Sequence, residues 1–217
     1  MPMRDQRKQL KAGDRKRPSE SMTWLSKRRE PFGFMLRLAM LGSVLIFVFV
    51  LLAYVLRRHG DAEWDNVTLP RIFWLSTAVI LLSSISLHSA KTAFRKEHFL
   101  NYRIMLGLTL ALGVTFVVLQ MIGWNEMLHR GISMQESPAG AFIYMISGLH
   151  VLHILGGLFF LTRSFWEALR NHKYLDAYVY SVNPPNQLKL NLMTLYWHFV
   201  DILWILLFAF MVYNHRR

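Results

Sequence analysis

Five apolar stretches, each about 20 residues long, alternate with polar segments along the chain, and each could cross the ~30 Å hydrocarbon core of a bilayer as a helix. They lie near Met35–Leu56, Ile72–Ala90, Ile104–Trp124, Ala139–Leu161 and Met193–Tyr213. In lipid, every backbone amide and carbonyl must be satisfied internally, which leaves helices or a closed barrel. No alternation of apolar and polar residues with period two suggests a barrel. The pattern therefore predicts an all-α polytopic membrane protein, a bundle of five transmembrane helices. Pro70 stands where proline is tolerated, at the start of the second helix. Pro184-Pro185 is expected to break any helix in the long fourth connection. Residues 1–31 are polar and aperiodic, so a disordered tail is expected there and a membrane domain over 32–217.

Composition sharpens this picture. The chain is 53% hydrophobic and has no cysteine, which removes disulfides, thiolate metal sites and cysteine nucleophiles together. The net charge of +12 would suit a nucleic-acid binder, but its distribution points elsewhere. Ten of the 25 Lys and Arg precede Pro31: Arg4, Arg7, Lys8, Lys11, Arg15, Lys16, Arg17, Lys27, Arg28 and Arg29. Lys91, Arg95, Lys96 and Arg103 mark the second connection, and Arg163, Arg170, Lys173 and Lys189 the fourth. With five spans these all fall on one side, so the amino terminus is expected in the cytoplasm and the carboxyl terminus in the periplasm. A bacterial inner membrane is the expected location, with anionic lipid headgroups near the basic tail and no nucleic-acid partner. The first apolar run begins too late and is too long for a cleaved signal peptide, and Asp5, Asp14 and Glu20 do not fit an acid-poor transit peptide.

The candidate chemistry lies inside the spans. His150 and His153 share one face of the fourth helix, and His198 and Asp201 one face of the fifth. Ionisable groups at that depth are costly, so they face protein or water and are functional by default. Three readings are open: a polar network locking helices together, a metal site of imidazoles and a carboxylate, or a proton relay exploiting histidine's near-neutral titration. The spacing is a weak metal signal. Gly148, Gly156 and Gly157, with Ala139, Gly140 and Ala141, give the fourth helix small residues suited to close approach. Ser83, Ser84 and Ser86 are expected to bond their own backbone or a neighbouring helix, and Gln120 to bond between helices. No phosphate-binding glycine loop, Ser–His–Asp arrangement or pair of catalytic carboxylates is evident. Neither are the broken helices and paired repeats of a transporter.

Gly148-x-His150-x-x-His153-x-x-Gly156, followed by Tyr196-Trp197-His198-Phe199-Val200-Asp201-x-x-Trp204, resembles the pattern of the cytochrome c oxidase subunit III family. Leu69-Pro70, Ser76-Thr77 and Leu81-Leu82-Ser83-Ser84 resemble one further helix of that family, Leu119-Gln120 with Trp124 and Glu126 the end of the next, and Tyr54 the end of the first span. The similarity runs from about Met35 to Tyr213. Five spans resemble the family's shorter form, without the two helices that flank a lipid-filled cleft in the longer one. The resemblance implies an accessory, non-redox subunit of a respiratory haem-copper oxidase. It would have no catalytic, metal or cofactor-binding residue of its own, with haem and copper in partner subunits. It implies contact with subunit I, assembly with subunit II, bound phospholipid, and support of proton uptake and active-site stability. On this basis His150, His153, His198 and Asp201 are expected to be structural. Service to a quinol oxidase or a nitric-oxide reductase, or a stand-alone metalloenzyme, are the alternatives. Two positions depart from the family's habit: Ser43 stands where a carboxylate is usual, eleven residues before Tyr54, and Gly123 where an acid is frequent.

Overall fold

The computed structural model describes residues 30–60, 67–135, 137–170 and 184–215, and all regular structure in them is helical. The helices are α1 (Glu30–Gly60), α2 (Ile72–Arg95), α3 (Phe99–His129), α4 (Pro138–Arg170) and α5 (Pro184–His215). All five are long and apolar enough to cross a membrane. The expected tail lies outside the described residues except at its end, where α1 has already begun. Residues 61–66 of the first connection and most of the fourth connection lie outside them too.

Each helix outruns its apolar stretch at one or both ends. A helix of 31 residues such as α3 is about 46 Å long at ~1.5 Å per residue. Hydropathy marks only the part that must sit in hydrocarbon, while backbone hydrogen bonding continues into the interface. The starts follow local chemistry. Ser137 caps α4 by accepting a hydrogen bond from the Gly140 amide at 3.1 Å, and Pro138 fills the first position, where its missing N–H is no loss. Pro184 and Pro185 were expected to interrupt helix. They instead open α5, because proline is harmless in a first turn and disruptive only further in.

The α2–α3 turn is tight. The His98 amide donates to Ala93 O at 3.0 Å and the Glu97 amide to Phe94 O at 3.3 Å, closing α2 as a C-terminal cap. Glu97 takes φ 60° there, a left-handed conformation that glycine adopts more readily. The closure makes α2 and α3 antiparallel neighbours.

The chain divides into two compact units, Met1–Leu41 and Gly42–Arg217. In the first, the described residues are the opening turns of α1. In the second, α2 to α5 enclose a core that includes Phe73, Ile80, Leu106, Phe116, Ile143, Ile146, Trp197 and Trp204. From Ser43 onward α1 joins this core along one face: Phe47 and Tyr54 are buried, and the Tyr54 ring meets Phe142 at 5.4 Å and Phe210 at 5.2 Å. The exterior is apolar, with Leu52, Leu82, Ile122, Leu152, Phe159 and Leu206 exposed. That inversion of a soluble protein's surface suits a lipid solvent.

Candidate functional site

The polar side chains inside the bundle converge on α2. Its hydroxyls recur at Ser76, Thr77, Ser83, Ser84 and Ser86, and each but Ser84 and Ser86 also donates to a carbonyl in its own preceding turn. Ser76 and Thr77 donate to Phe73 O at 3.0 and 2.7 Å, and Ser83 to Ile80 O at 2.7 Å. With the hydroxyl proton directed there, the oxygen lone pairs face the neighbouring helices as acceptors. Three of these are used. Trp197 Nε1 donates to Ser83 Oγ at 3.0 Å, Trp204 Nε1 to Thr77 Oγ1 at 3.0 Å, and Gln120 Nε2 to Ser76 Oγ at 2.9 Å. Ser86 reaches Met105 O on α3 at 2.9 Å. A single helix rich in small hydroxyls thus ties α5 on one side and α3 on the other. The same device joins α3 to α4, where Trp124 Nε1 donates to Ser147 Oγ at 2.9 Å.

The four ionisable residues do not bond to one another; each is directed to a different neighbour. His153 reaches α1: its Nε2 lies 2.9 Å from Ser43 Oγ, its Nδ1 2.8 Å from Leu149 O, and its ring packs at 5.5 Å against Phe47. Tyr196 on α5 donates to His153 O at 2.9 Å. His198 reaches α2, with Nδ1 2.6 Å from Ser84 Oγ. Its ring centroid is 6.5 Å from that of His88. His150 is fully buried among aromatic rings, 4.8 Å from Trp204 and 5.7 Å from Phe116. Neither of its ring nitrogens, and neither oxygen of the 3% exposed Asp201, has a hydrogen-bond partner among the described residues. The polar network expected to lock helices together is therefore not built from direct imidazole–carboxylate bonds among the described residues. Periodicity placed each pair on one face of its helix, but that face is wide enough for its two members to meet different helices.

Ser84 bonds to a neighbouring helix, one of the two roles expected of it. Besides contacting His198, it lies within electrostatic reach of Asp201. A serine, a histidine and an aspartate thus lie near one another. The hydroxyl, however, stands between the other two. Nucleophile activation needs the imidazole in the middle, oriented by the carboxylate. Among the described residues, no group of three His, Cys, Asp or Glu converges as a metal ion would require.

Small residues matter at specific points. A Cβ added at Gly157 would meet Tyr196 at 3.1 Å and Trp197 at 3.2 Å, and one at Gly113 would meet Leu158 and Trp197 at 2.9 Å. Trp197 lies in the space these two glycines leave. At Gly148 and Gly156 the nearest neighbours, Trp124 and Tyr196, stand at 3.8 and 3.6 Å, ordinary contact. The missing acid at Gly123 has a steric reason, since a Cβ there would meet Phe73 at 2.6 Å. Glu126 pairs with Arg130 one turn along α3, away from the buried groups.

Residues 32–215 match the family described as Cytochrome c oxidase subunit III. Among similar proteins, a probable cytochrome c oxidase subunit 3 of Nocardia farcinica is 31% identical, over 78% of this chain and 81% of its own. Cytochrome c oxidase subunit 3 of a Synechocystis species is 26% identical, over 82% of this chain and 72% of its own. A cytochrome bo(3) ubiquinol oxidase subunit 3 of Buchnera aphidicola is 23% identical, over 84% and 90% respectively.

Proposed function

Because the chain belongs to the cytochrome c oxidase subunit III family, we propose that it braces the catalytic subunit of a respiratory haem-copper oxidase in a bacterial inner membrane. In this reading it is an accessory subunit of an oxygen-reducing, proton-translocating enzyme and does no redox chemistry itself. Haem and copper belong to partner subunits, of which subunit I is the direct contact and subunit II a further member of the complex. Phospholipid fills the remaining apolar surface. The amino terminus faces the cytoplasm and the carboxyl terminus the periplasm, as the concentration of lysine and arginine on one side supports.

One observation carries the reading: the polar groups within the bundle join helices. Trp197–Ser83, Trp204–Thr77, Gln120–Ser76, His198–Ser84 and His153–Ser43 connect α5, α3 and α1 to their neighbours. That is how a rigid scaffold uses buried polarity. His153, His198 and their serines are structural here, and His150 and Asp201 are held by the surrounding helices. The test is to purify the tagged full chain in mild detergent. A large haem-bearing subunit is expected to co-purify, and a chain recovered alone from membranes that contain such an oxidase would overturn the proposal.

The electron donor is set by the partners. The ubiquinol oxidase relative supports a second reading, in which the co-purifying oxidase takes electrons from quinol. Reduction of the purified complex by cytochrome c or by ubiquinol separates the two.

A further inference from the structure

Two histidines from different helices face one another along the seam between α2 and α5. The ring centroids of His88 on α2 and His198 on α5 are 6.5 Å apart, with their planes at 44°. His88 is exposed and His198 half-buried. His88 lies two residues before Ala90, where the apolar stretch of α2 ends, so ions in the adjoining water can reach it. The other histidines inside the bundle offer no such opening. His153 has Ser43 Oγ at one ring nitrogen and Leu149 O at the other, and His150 is sealed among aromatic rings. His198 has only its Nδ1 engaged by Ser84, at 2.6 Å. A proton on Nδ1, donated to Ser84, leaves the lone pair on Nε2. An oxygen holding the second ring nitrogen is the usual support of a metal-ligating imidazole. Asp201 stands behind Ser84, within its electrostatic reach, and adds negative charge on that side. Each Zn–N bond is about 2.0–2.1 Å, so an ion held between two imidazoles sets their centroids roughly 5–6.5 Å apart. The observed pair stands at the wide end of that range.

We propose that His88 and His198 together bind a divalent transition-metal ion of the zinc class, bridging α2 and α5. Imidazole selects such ions over the oxygen-preferring Mg²⁺ and Ca²⁺. Two protein ligands are fewer than a closed structural site uses, so water completes the coordination. The ion adds a second cross-link beside the Trp197–Ser83 and His198–Ser84 bonds and holds the seam more firmly when bound. Lys91 lies one turn from His88 and within electrostatic reach of His198. Its charge opposes the ion and sets an upper limit on the affinity. The site requires only that α2 and α5 pack as described. It stands or falls separately from the oxidase reading, since binding is scored on the chain itself.

The full chain, purified in detergent through a tag without histidine, is titrated with Zn²⁺ and its thermal midpoint followed. The midpoint is expected to rise and saturate, by about 3–6 °C at ten times the dissociation constant. Mg²⁺ should leave it unchanged. His88→Ala removes an exposed side chain and should abolish the rise while keeping the midpoint of the metal-free chain. His129→Ala, an exposed histidine at the far end of α3, should retain the rise in full. Lys91→Gln should shift half-saturation to lower zinc. No saturable rise up to millimolar Zn²⁺ overturns the proposal. So does an equal rise in His88→Ala and the native chain, because the ion would then sit elsewhere. Weaker binding by Lys91→Gln overturns it independently, even if His88→Ala fails to fold.

Discussion

The seam between α2 and α5 and the centre of α4 handle buried polarity in opposite ways. Along the seam, each indole N–H of Trp197 and Trp204 meets a hydroxyl of α2, and His198 meets Ser84. At the centre of α4, His150 is just as deeply buried but is surrounded by aromatic rings and bonded to nothing among the described residues. Both belong to the recognisable motifs of the sequence. Recognisability therefore does not distinguish a group that ties helices from one without a partner among the described residues. What distinguishes them is whether a small hydroxyl residue faces them.

Substitutions can break this contrast, and their expected effects fall in order. Trp197→Ala should be the most damaging. It removes the donor to Ser83 and vacates the space left by Gly113 and Gly157. The expected cost is about 3–5 kcal/mol, as for other large aromatic truncations, visible as a sharp fall in the yield of assembled complex. Asp201 comes next. Asp201→Leu should assemble better than Asp201→Ala, because a leucine fills the site without a buried carboxyl whereas alanine leaves a cavity of about 1–3 kcal/mol. If both assemble like wild type, Asp201 is not coupled to its neighbours.

Ser84→Ala and His150→Leu form the most direct test. Ser84→Ala strands the His198 ring nitrogen and should lower the thermal midpoint, at a cost of about 1–3 kcal/mol. His150→Leu removes a ring that has no partner to lose and should be near neutral or stabilising. The reverse order would show that His150, not the seam, is the polar anchor. Ser43→Ala should be the mildest of the destabilising changes, at about 0.6 kcal/mol, the average for hydrogen bonds between membrane helices. A double-mutant cycle with His153→Phe should recover that coupling and no more.

Hydropathy alone located all five spans, because the ~30 Å lipid core imposes the pattern residue by residue. The helix ends were less legible. The turns beyond hydrocarbon are held by backbone hydrogen bonds and caps, of which only Ser137-Pro138 leaves an obvious trace. Of the candidate site, the residues were legible and their partners were not. Ser43 is 110 positions from His153, and Ser84 is 114 from His198. No periodicity within one helix reveals which helix will lie against it. A run of hydroxyls every turn or two along Ser76, Thr77, Ser83 and Ser84 was the available signal, since indoles on another span need such acceptors. Gly113 and the packing role of Gly123 were missed for a related reason. Their importance comes from Trp197 and Phe73 on other helices, and the glycine-rich stretch of α4 drew attention to Gly148 and Gly156, where there is room.

The bonds from Trp197 and Trp204 to α2 have an electrical consequence. Indole and hydroxyl are neutral, so fastening α5 this way moves no charge when the voltage across the membrane changes. A fixed ion would feel about 2.3 kcal/mol for each 100 mV it traversed. A frame held by dipoles gives that voltage no charge of its own to pull on.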